Sequence, residues 1–234
     1  MSKYNYIAMI PARMGSRRVV KKNIRYMLDK PLINYPIDLA KSESRFNSIW
    51  VNTESVALGK YCETLGVNFH KRPAELSNDV ATNRDFVYEF LNKHECDYVI
   101  MINPTSPTVR EETLSKFLDY VDEGTYDTVM TTTQIKAECM MSNKNLNFDK
   151  KDKIPSEKLT PIEYITWAFT AWKRDTFINL QETGECPVFG GNLSTFCIPK
   201  DESHDIDNEE DWIVAEAMLR ARRSKEYEKR YLEI

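Results

Sequence analysis

The feature that most constrains the fold is a short apolar run that recurs along the first half of the chain, each time followed by an amphipathic segment. These runs predict strands over 6–10, 48–52, 67–70, 98–102 and 128–132. The segments between them show helical periodicity over 32–39, 56–65, 86–91 and 114–121. This alternation predicts an α/β fold, with a doubly wound, mostly parallel sheet covered on both faces. Such sheets bind ligands at the carboxyl ends of their strands.

The second half of the chain contains an interruption. The pattern breaks after Thr133, and residues 136–162 are rich in Lys, Asn, Asp and Met with weak periodicity. Because so long a structureless loop is unusual inside a compact domain, we expect a protruding arm that packs on a second copy of the chain. A self-packed surface loop is the alternative. Beyond it, the sequence predicts a strand, a helix, a strand and a final helix over 166–172, 174–181, 193–198 and from about 209 past 223.

The composition excludes disorder and a general attraction for polyanions. With 234 residues, 41% of them hydrophobic, the chain can bury one core, so we predict a single domain over 1–234. The net charge of -4 makes nucleic acid and anionic membrane poor partners. There is neither a membrane-length apolar run nor a signal-peptide pattern, so we expect a cytoplasmic protein. Five scattered cysteines without a Cys-x-x-Cys pair are expected to be reduced and mostly buried.

A loop rich in cations directly follows the first predicted strand. Residues 11–24 read PARMGSRRVVKKNI, with Arg13, Arg17, Arg18, Lys21 and Lys22 within ten positions. Gly15 and Ser16 allow a close backbone approach, so such a loop can surround a polyphosphate. The spacing fits neither the P-loop nor the Gly-x-Gly-x-x-Gly motif. The alternative is a solvated basic loop.

Two carboxylates near the end of the chain predict a metal site. Asp205 and Asp207 are one residue apart in a segment expected to be extended, which would project both side chains to the same side. Magnesium prefers hard oxygen ligands and uses one or two carboxylates together with substrate phosphates. Asp207 or Asn208 can also cap the final helix, and capping does not exclude metal binding. His204 beside the pair is expected to be a loop residue.

Four motifs follow one another along the chain: Ile10-Pro-Ala-Arg-Met-Gly-Ser16 with Lys22-Asn-Ile24, Arg72-Pro-Ala-Glu-Leu76 with Asp79 and Thr82, Asn103-Pro-Thr-Ser-Pro107 with Arg110, and Asp205-Ile-Asp207 with Asp211, Ala215 and Glu216. In this order they resemble the motifs of the acylneuraminate cytidylyltransferases, also called CMP-sialic acid synthetases. The resemblance implies a Rossmann-like nucleotidyltransferase fold with a dimerisation arm. It also implies transfer of CMP from CTP to a 2-keto-3-deoxy sugar acid, with magnesium and release of pyrophosphate.

The resemblance also implies roles for individual residues. The candidate catalytic residues are Arg13, Lys22, Asp205 and Asp207, of which the two aspartates would bind magnesium. The candidate nucleotide-binding residues are Ala12, Arg13, Gly15, Ser16, Lys22, Asn23, Arg72, Asp79, Thr82 and Asn83. The candidate acceptor-binding residues are Asn103, Thr105, Ser106 and Trp167. Without the resemblance, Arg72 can equally be a cation that fixes the turn before Pro73.

The departures from the family pattern cluster where the acceptor would bind. Asn103 stands where the family commonly has Gln. A stretch that typically reads Arg-Pro-Asn-Gly-Ala is here Tyr-Ile-Thr-Trp-Ala, which places Thr166 and Trp167 at the Asn and Gly positions. The first loop carries Arg-Arg-Val-Val over 17–20 where Lys-Gly is usual. The sequence therefore supports the nucleotide chemistry better than the identity of the acceptor.

The leading expectation is a cytidylyltransferase acting on a nonulosonic acid such as sialic, legionaminic or pseudaminic acid. One alternative is CMP transfer to an eight-carbon ulosonic acid or a phosphonate, and another is a noncatalytic nucleotide-binding homologue. Nucleic-acid binding through the basic loop is disfavoured because no aromatic platform accompanies the cations.

Overall fold

The computed structural model describes residues 3–224. Its strands and α-helices, in chain order, are β1 (Tyr6–Pro11), β2 (Tyr26–Met27), β3 (Lys30–Pro31), α1 (Asn34–Ser42), β4 (Phe46–Thr53), α2 (Val56–Thr64), β5 (Asn68–Lys71), α3 (Asn83–Leu91), β6 (Tyr98–Ile102), α4 (Glu111–Glu123), β7 (Thr128–Ile135), β8 (Met140–Met141), β9 (Lys144–Asn145), β10 (Ile162–Lys173), α5 (Arg174–Glu182), β11 (Leu193–Cys197) and α6 (Glu209–Ser224). None of these helices is long and apolar enough to cross a membrane.

The central sheet has seven strands in the order β11-β7-β10-β6-β1-β4-β5. β10 runs antiparallel to both of its neighbours, β6 and β7. The other neighbouring pairs are parallel. The mostly parallel, doubly wound sheet predicted from the sequence is therefore confirmed. β6 is buried at all five positions, as expected of a strand with both faces covered.

Two apolar cores lie on opposite faces of the sheet because successive side chains of β1 alternate between them. Tyr6, Ala8 and Ile10 belong to the core covered by α1, α2 and α4. Ile7 and Met9 belong to the core covered by α3 and α5. This alternation explains why the run 6–10 is continuously apolar.

A third cluster attaches α6 to the cation-rich loop. Val19 from that loop, Ile206 from the aspartate segment and Trp212 from α6 are buried together with Met27. The Arg25 guanidinium lies 4.3 Å from the centre of the Trp212 ring. This packing brings two predicted site segments, which are almost 200 residues apart in sequence, to the same edge of the sheet.

Local signals account for some details, and others differ from expectation. α3 begins at Asn83, earlier than the predicted 86, because Thr82 and Asp85 form a capping box. The expectation that most cysteines are buried is wrong: only Cys62 is buried, whereas Cys186 and Cys197 are exposed. All five are free thiols, as expected.

The 136–162 segment projects from the ends of β7 and β10 as a small hairpin formed by β8 and β9. The turn residues Ser142 and Asn143 have φ values of 49° and 66°, as in a two-residue turn matched to strand twist. Met140 and Met141 are more than half exposed. Leu159 is only 3% exposed, so the segment buries this apolar side chain within its own chain.

Candidate functional site

A cavity of about 350 Å³ lies at the carboxyl ends of β1, β5 and β6. Ten of the predicted site residues line it: Arg13, Ser16, Lys22, Asn23, Arg72, Asn83, Asn103, Thr105, Trp167 and Asp207. Six do not: Ala12, Gly15, Asp79, Thr82, Ser106 and Asp205. The edge of the sheet that the topology selects for ligand binding therefore gathers most of the candidates.

The cation-rich loop is fixed at both ends. The Ala12 backbone N–H donates to Asn52 O at 2.9 Å, which continues the alignment of β1 with β4. Asn23 is buried, and its Nδ2 donates to Arg13 O at 2.9 Å. The Ile33 backbone N–H donates to Asn23 O at 3.0 Å. Asn23 thus lines the cavity and also holds the loop closed, while Ala12 is buried in the core beneath the loop.

The outer cations of the loop pair with carboxylates from other segments. Asp79 contacts Arg13 at 3.0 Å and Arg17 at 2.8 Å. Arg18 contacts Asp207 at 2.6 Å. Arg13 also donates to Asn78 O at 2.8 Å. Asp79 therefore contacts the cations of the loop and lies outside the cavity lining.

Lys22 is the inner cation of the loop. Its Nζ donates to Ile206 O at 2.7 Å, which connects the loop to the aspartate segment. Burial lowers the pKa of Lys22, and the nearby Asp205 and Asp207 act in the opposite direction. An ammonium with little water around it interacts strongly with any anion that enters the cavity.

Asp205 and Asp207 occupy different environments. Asp205 lies behind the cavity wall, and burial raises the pKa of its carboxyl group. Asp205 Oδ1 and Thr105 Oγ1 are both buried, and the Thr105 hydroxyl acts against this rise in the pKa of the Asp205 carboxyl. Asp207 lines the cavity and is half exposed. The Ile206 N–H between them donates to Thr105 O at 2.9 Å.

The final helix is capped by Asn208 and not by Asp207. Asn208 Oδ1 accepts from the Asp211 N–H at 2.9 Å. Asp211 Oδ2 in turn accepts from the backbone N–H groups of Asp207 and Asn208. His204 Nε2 lies 2.8 Å from Asp211 O, in keeping with a loop role. The Asp207 carboxylate is thus not used for capping.

The donor set fits a magnesium ion held partly by substrate. Within residues 3–224 there is no cluster of three or more His, Cys, Asp or Glu side chains that could hold a metal by themselves. Magnesium does not need such a cluster, because it retains waters and accepts phosphate oxygens. The Asp207 carboxylate at the cavity and the Asp205 carboxyl behind the cavity wall are the kind of ligands that such a site uses.

Arg72 lies at the end of β5 and is only 3% exposed. Its Nε donates to Asn52 Oδ1 at 2.6 Å, and one terminal nitrogen donates to Asn52 O at 3.0 Å. The guanidinium lies 4.2 Å from the centre of the Phe86 ring. Burial lowers its pKa to about 10, so it stays charged at neutral pH. These contacts are with β4 and α3, and not with the turn before Pro73.

The segment 103–106 and β10 form another part of the wall. Asn103, Thr105 and Trp167 line the cavity, whereas Ser106 is buried and its N–H donates to Asn103 O at 3.2 Å. Ser106 therefore shapes the segment without facing the cavity. Trp167 has a φ of +58°, in the left-handed region.

The sequence pattern of the cytidylyltransferase family matches residues 7–229. The chain belongs to the cytidylyltransferase family. It is 29% identical over 221 residues to N-acylneuraminate cytidylyltransferase A of Danio rerio, covering 89% of this chain and 49% of that protein. It is 26% identical over 222 residues to the Escherichia coli N-acylneuraminate cytidylyltransferase, covering 89% and 51%. The chain thus spans about half the length of these curated relatives.

Other relatives are of similar length to this chain. Post-translational flagellin modification protein B of Campylobacter coli is 25% identical over 232 residues, covering 92% of this chain and 94% of that protein. Among solved structures, CMP:2-keto-3-deoxy-manno-octonic acid synthetase complexed with CTP has a TM-score of 0.69 at 18% identity, covering 93% and 99%. A 4-diphosphocytidyl-2C-methyl-D-erythritol synthase from Anaerococcus prevotii has a TM-score of 0.67 at 14% identity, covering 92% and 96%. At such identities the structures show the shared fold.

Sequence reasoning did not select seven residues that line the cavity: Pro11, Arg17, Arg18, Val19, Phe86, Met101 and Pro104. Arg17 and Arg18 were visible as loop cations, but nothing in the spacing ranked them with Arg13. Phe86 and Met101 look like ordinary core residues of a helix and a strand. Their spacing from predicted site residues could have identified them, because Phe86 is one helical turn after Asn83 and Met101 is two residues before Asn103.

Proposed function

We propose that this chain is a CTP-dependent cytidylyltransferase that transfers CMP to an acidic sugar of the nonulosonic type and releases pyrophosphate. The observation that carries the proposal is the meeting of the cation-rich loop and the aspartate segment at one cavity, where Lys22 donates to Ile206 O at 2.7 Å. Membership of the family supports the same conclusion, since its pattern covers both segments.

In this reaction an acceptor hydroxyl loses its proton to solvent and its oxygen forms a bond to the α-phosphorus, while the bond from that phosphorus to the bridging oxygen of pyrophosphate breaks. Negative charge then increases on the departing pyrophosphate. Arg13 and Lys22 are held by the fixed loop, so they can stabilise this charge with little rearrangement. Arg17 and Arg18 lie farther out and are suited to meet the terminal phosphates.

Asp205 and Asp207 would hold a magnesium ion, which would neutralise charge on the triphosphate when bound. Asp207 would then exchange its contact with Arg18 for the ion. That exchange leaves the Arg18 guanidinium available to phosphate oxygens. The aspartate segment itself is kept in place by Ile206, whose side chain is fully buried and whose N–H donates to Thr105 O.

The end of β5 is the proposed cytidine side of the cavity. Arg72 has five N–H donors, and its contacts with Asn52 use two of them. The remaining donors suit the cytosine carbonyl oxygen. Asn83, at the start of α3, also lines the cavity and offers an amide that can accept from the cytosine amino group.

The test is pyrophosphate release with CTP, magnesium and a panel of acceptors. We expect turnover with at least one nonulosonic acid and little with UTP in place of CTP. Turnover only with an eight-carbon ulosonic acid or a phosphonate would show that the acceptor belongs to that class and not to the nonulosonic acids. Binding of CTP by calorimetry without turnover on any acceptor would indicate a noncatalytic homologue, and absence of CTP binding would overturn the proposal entirely.

We also propose that the chain forms a homodimer through the arm over 136–162. Met140, Met141 and Leu146 are at least half exposed there, and Tyr164 and Ile165, where the chain returns from the arm in β10, are also exposed. A two-fold mate would cover these side chains. In that arrangement Lys151 or Lys158 would approach the partner's acidic substrate, whereas Lys153 already pairs with Glu138 in its own chain.

Light scattering at micromolar concentration tests the dimer. The double variant Met140→Glu with Met141→Glu should shift the mass to that of a monomer and lower activity, because charged side chains oppose burial. Val56→Glu, on an exposed position of α2, is the matched control and should leave the mass unchanged. A wild-type protein that is monomeric and fully active would refute the proposal that lysines of the arm approach the partner's substrate. A dimer that persists unchanged in the arm variant would show that the arm is only a surface loop.

A further inference from the structure

The backbone at Trp167 adopts a conformation that a bulky residue rarely takes. Its φ of +58° lies in the left-handed region, where the side chain crowds the backbone and where glycine is favoured. No sharp turn accounts for it, because Trp167 lies inside β10, which runs from Ile162 to Lys173. Such strain persists only where the surroundings fix it, and it is often found at functional sites.

A set of buried hydrogen bonds fixes this conformation. The pairing of β10 with β7 changes register between Ile165 and Thr170, so the intervening residues form a bulge. Thr131 Oγ1 donates to Phe169 O at 3.0 Å and accepts from the Phe169 N–H at 3.1 Å. The Thr166 hydroxyl lies 2.9 Å from the same oxygen. One buried hydroxyl on β7 thus holds both ends of the bulge.

The bulge places Trp167 in the lining of the cavity, beside the segment 103–106. The Asn103 N–H donates to Ala168 O at 3.0 Å, which joins the bulge to the segment 103–106. Thr105 in that segment holds the aspartate segment through Ile206. Trp167 is half-buried, and its ring meets Phe189 edge-on with centroids 6.0 Å apart.

Apolar side chains lie near Trp167, because its indole packs against the core cluster that contains Met101 and Phe86 packs against the same cluster. Asn103 and Thr105 are the polar residues of the adjoining segment that line the cavity. Met101 and Phe86 share the cavity with the indole, while the arginines and Lys22 come from the loop after β1. The charged groups of an acidic acceptor would therefore contact the cations of the loop. The acceptor group that faces β10 would contact the indole. A hydroxyl group buried against an aromatic face loses hydrogen bonds to water, whereas a methyl group gains from leaving water.

We propose that Trp167 sets the acceptor specificity of the CMP transfer, an inference that rests on the proposed function. Its indole selects acidic sugars that present a methyl group, from a deoxygenated side chain, in place of a hydroxymethyl group. Glycine would adopt the same backbone conformation without strain, so the cost of a tryptophan here is explained by what its side chain contacts. Trp167 is thus a specificity-determining residue and takes no part in the bond changes.

The experiment compares two acceptors that differ at one group, sialic acid and its 9-deoxy analogue. Wild-type protein should favour the deoxy acceptor in kcat/KM by about tenfold. Trp167→Phe should keep most of this preference, since it keeps an aromatic face. Trp167→Gly should bring the ratio close to one and leave the KM for CTP unchanged. An unchanged ratio in Trp167→Gly, or a wild-type preference for sialic acid, would overturn the proposal.

Further measurements separate this inference from the proposed function. Calorimetric binding of the two acceptors, in the presence of CTP, reports the preference without turnover. The same preference in binding, lost in Trp167→Gly, would support the role of Trp167 even if no pyrophosphate were released. If neither acceptor binds nor reacts, both proposals fail. Thermal unfolding checks each variant, and Trp167→Asn, a residue that tolerates left-handed backbone, replaces Trp167→Gly if the latter does not fold.

Discussion

Two parts of the cavity wall are built differently. The nucleotide side, formed by the loop 11–24 and the end of β5, carries its functional side chains immediately after parallel strands. The register of β1 with β4 shifts only between Tyr6 and Ile7, at the end of β1 away from the loop, and that of β4 with β5 is regular. The acceptor side, formed by segment 103–106 and the bulge 166–169, depends on a change of register inside β10. A side chain that follows a strand is positioned by topology, whereas Trp167 is positioned by the hydrogen bonds of Thr131.

The two sides also differ in how charge is arranged. On the nucleotide side, three arginines contact two carboxylates that come from distant parts of the sequence. On the acceptor side, the bulge is held by neutral hydroxyl and backbone groups. We therefore expect charge substitutions to change CTP use strongly and to leave the acceptor preference almost unchanged.

The largest effect is expected for Asp207→Asn. Loss of the charge proposed to hold magnesium should reduce kcat about a hundredfold or more, as for removal of a group that stabilises transition-state charge. The amide keeps the size of the side chain, and Asn208 still caps α6, so the unfolding temperature should change little. Pyrophosphate release at saturating CTP and magnesium measures the loss.

Asn208→Ala is the matched control for this variant. Removing the cap should destabilise the fold by about 1 kcal/mol while kcat stays close to that of the wild type at room temperature. Near-parental activity in Asp207→Asn would show that Asp207 is not a metal ligand. A large loss of activity in Asn208→Ala would instead assign the effect to the position of the segment.

The next effect in size is expected for Arg13→Ala. Its guanidinium is proposed to contact the triphosphate, so the variant should raise the KM for CTP and lower kcat, with kcat/KM reduced roughly tenfold to a hundredfold. Lys22→Ala should behave similarly. The ratio of kcat/KM between sialic acid and its 9-deoxy analogue should stay constant. Unchanged constants for CTP would refute the role of the loop, and a changed acceptor ratio would refute the separation of the two sides.

A smaller effect, on the stability of the fold at acidic pH, is expected from a pair of histidines near the nucleotide side. His70, two residues before Arg72, lies 2.9 Å from His94 Nε2 and 2.8 Å from Glu89 Oε2, which joins β5 to α3. Burial lowers the pKa of His94 from 6.5 to about 4, with the neighbouring His70 and Lys93 acting in the same direction and Glu89 opposing them. Burial also lowers the pKa of His70.

The sign of this effect follows from the depressed pKa. As the pH falls from 6.5 toward 4, the unfolded chain takes up protons that the folded His94 does not, so stability is full above this window and is lost within it. His94→Gln keeps a polar side chain without this titration. Its unfolding temperature should therefore fall less over this pH range than that of the wild type. If the unfolding temperatures of the two proteins fell equally over this pH range, His94 would not be a source of the loss of stability.

The sequence predicted the frame of the molecule more completely than its site. Continuous apolar runs such as 98–102 specify buried strands by themselves, and the structure has that strand at the predicted bounds. The sequence could not predict whether Asp207 or Asn208 caps α6, because both residue types cap helices equally well. The bulge at Trp167 was not predictable either, since the oxygen that fixes it belongs to another strand. Phe86 resembles a core residue in the sequence, yet it lines the cavity and packs against the Arg72 guanidinium.

The smallest effect is expected for Asp79→Asn, and its sign distinguishes two roles. In the structure Asp79 competes with any anion for Arg13 and Arg17, so neutralising it should lower the KM for CTP by about twofold to fivefold, the range that exposed ion pairs are worth. The gain should shrink at high salt, because exposed charges are screened. Asp175→Asn makes the same change of charge at the start of α5, which is hydrogen-bonded to the residue before β6 and therefore lies at the edge of the sheet away from the cavity. This control should leave the KM for CTP unchanged. A raised KM in Asp79→Asn would instead show that Asp79 contacts the nucleotide, as the family resemblance implies.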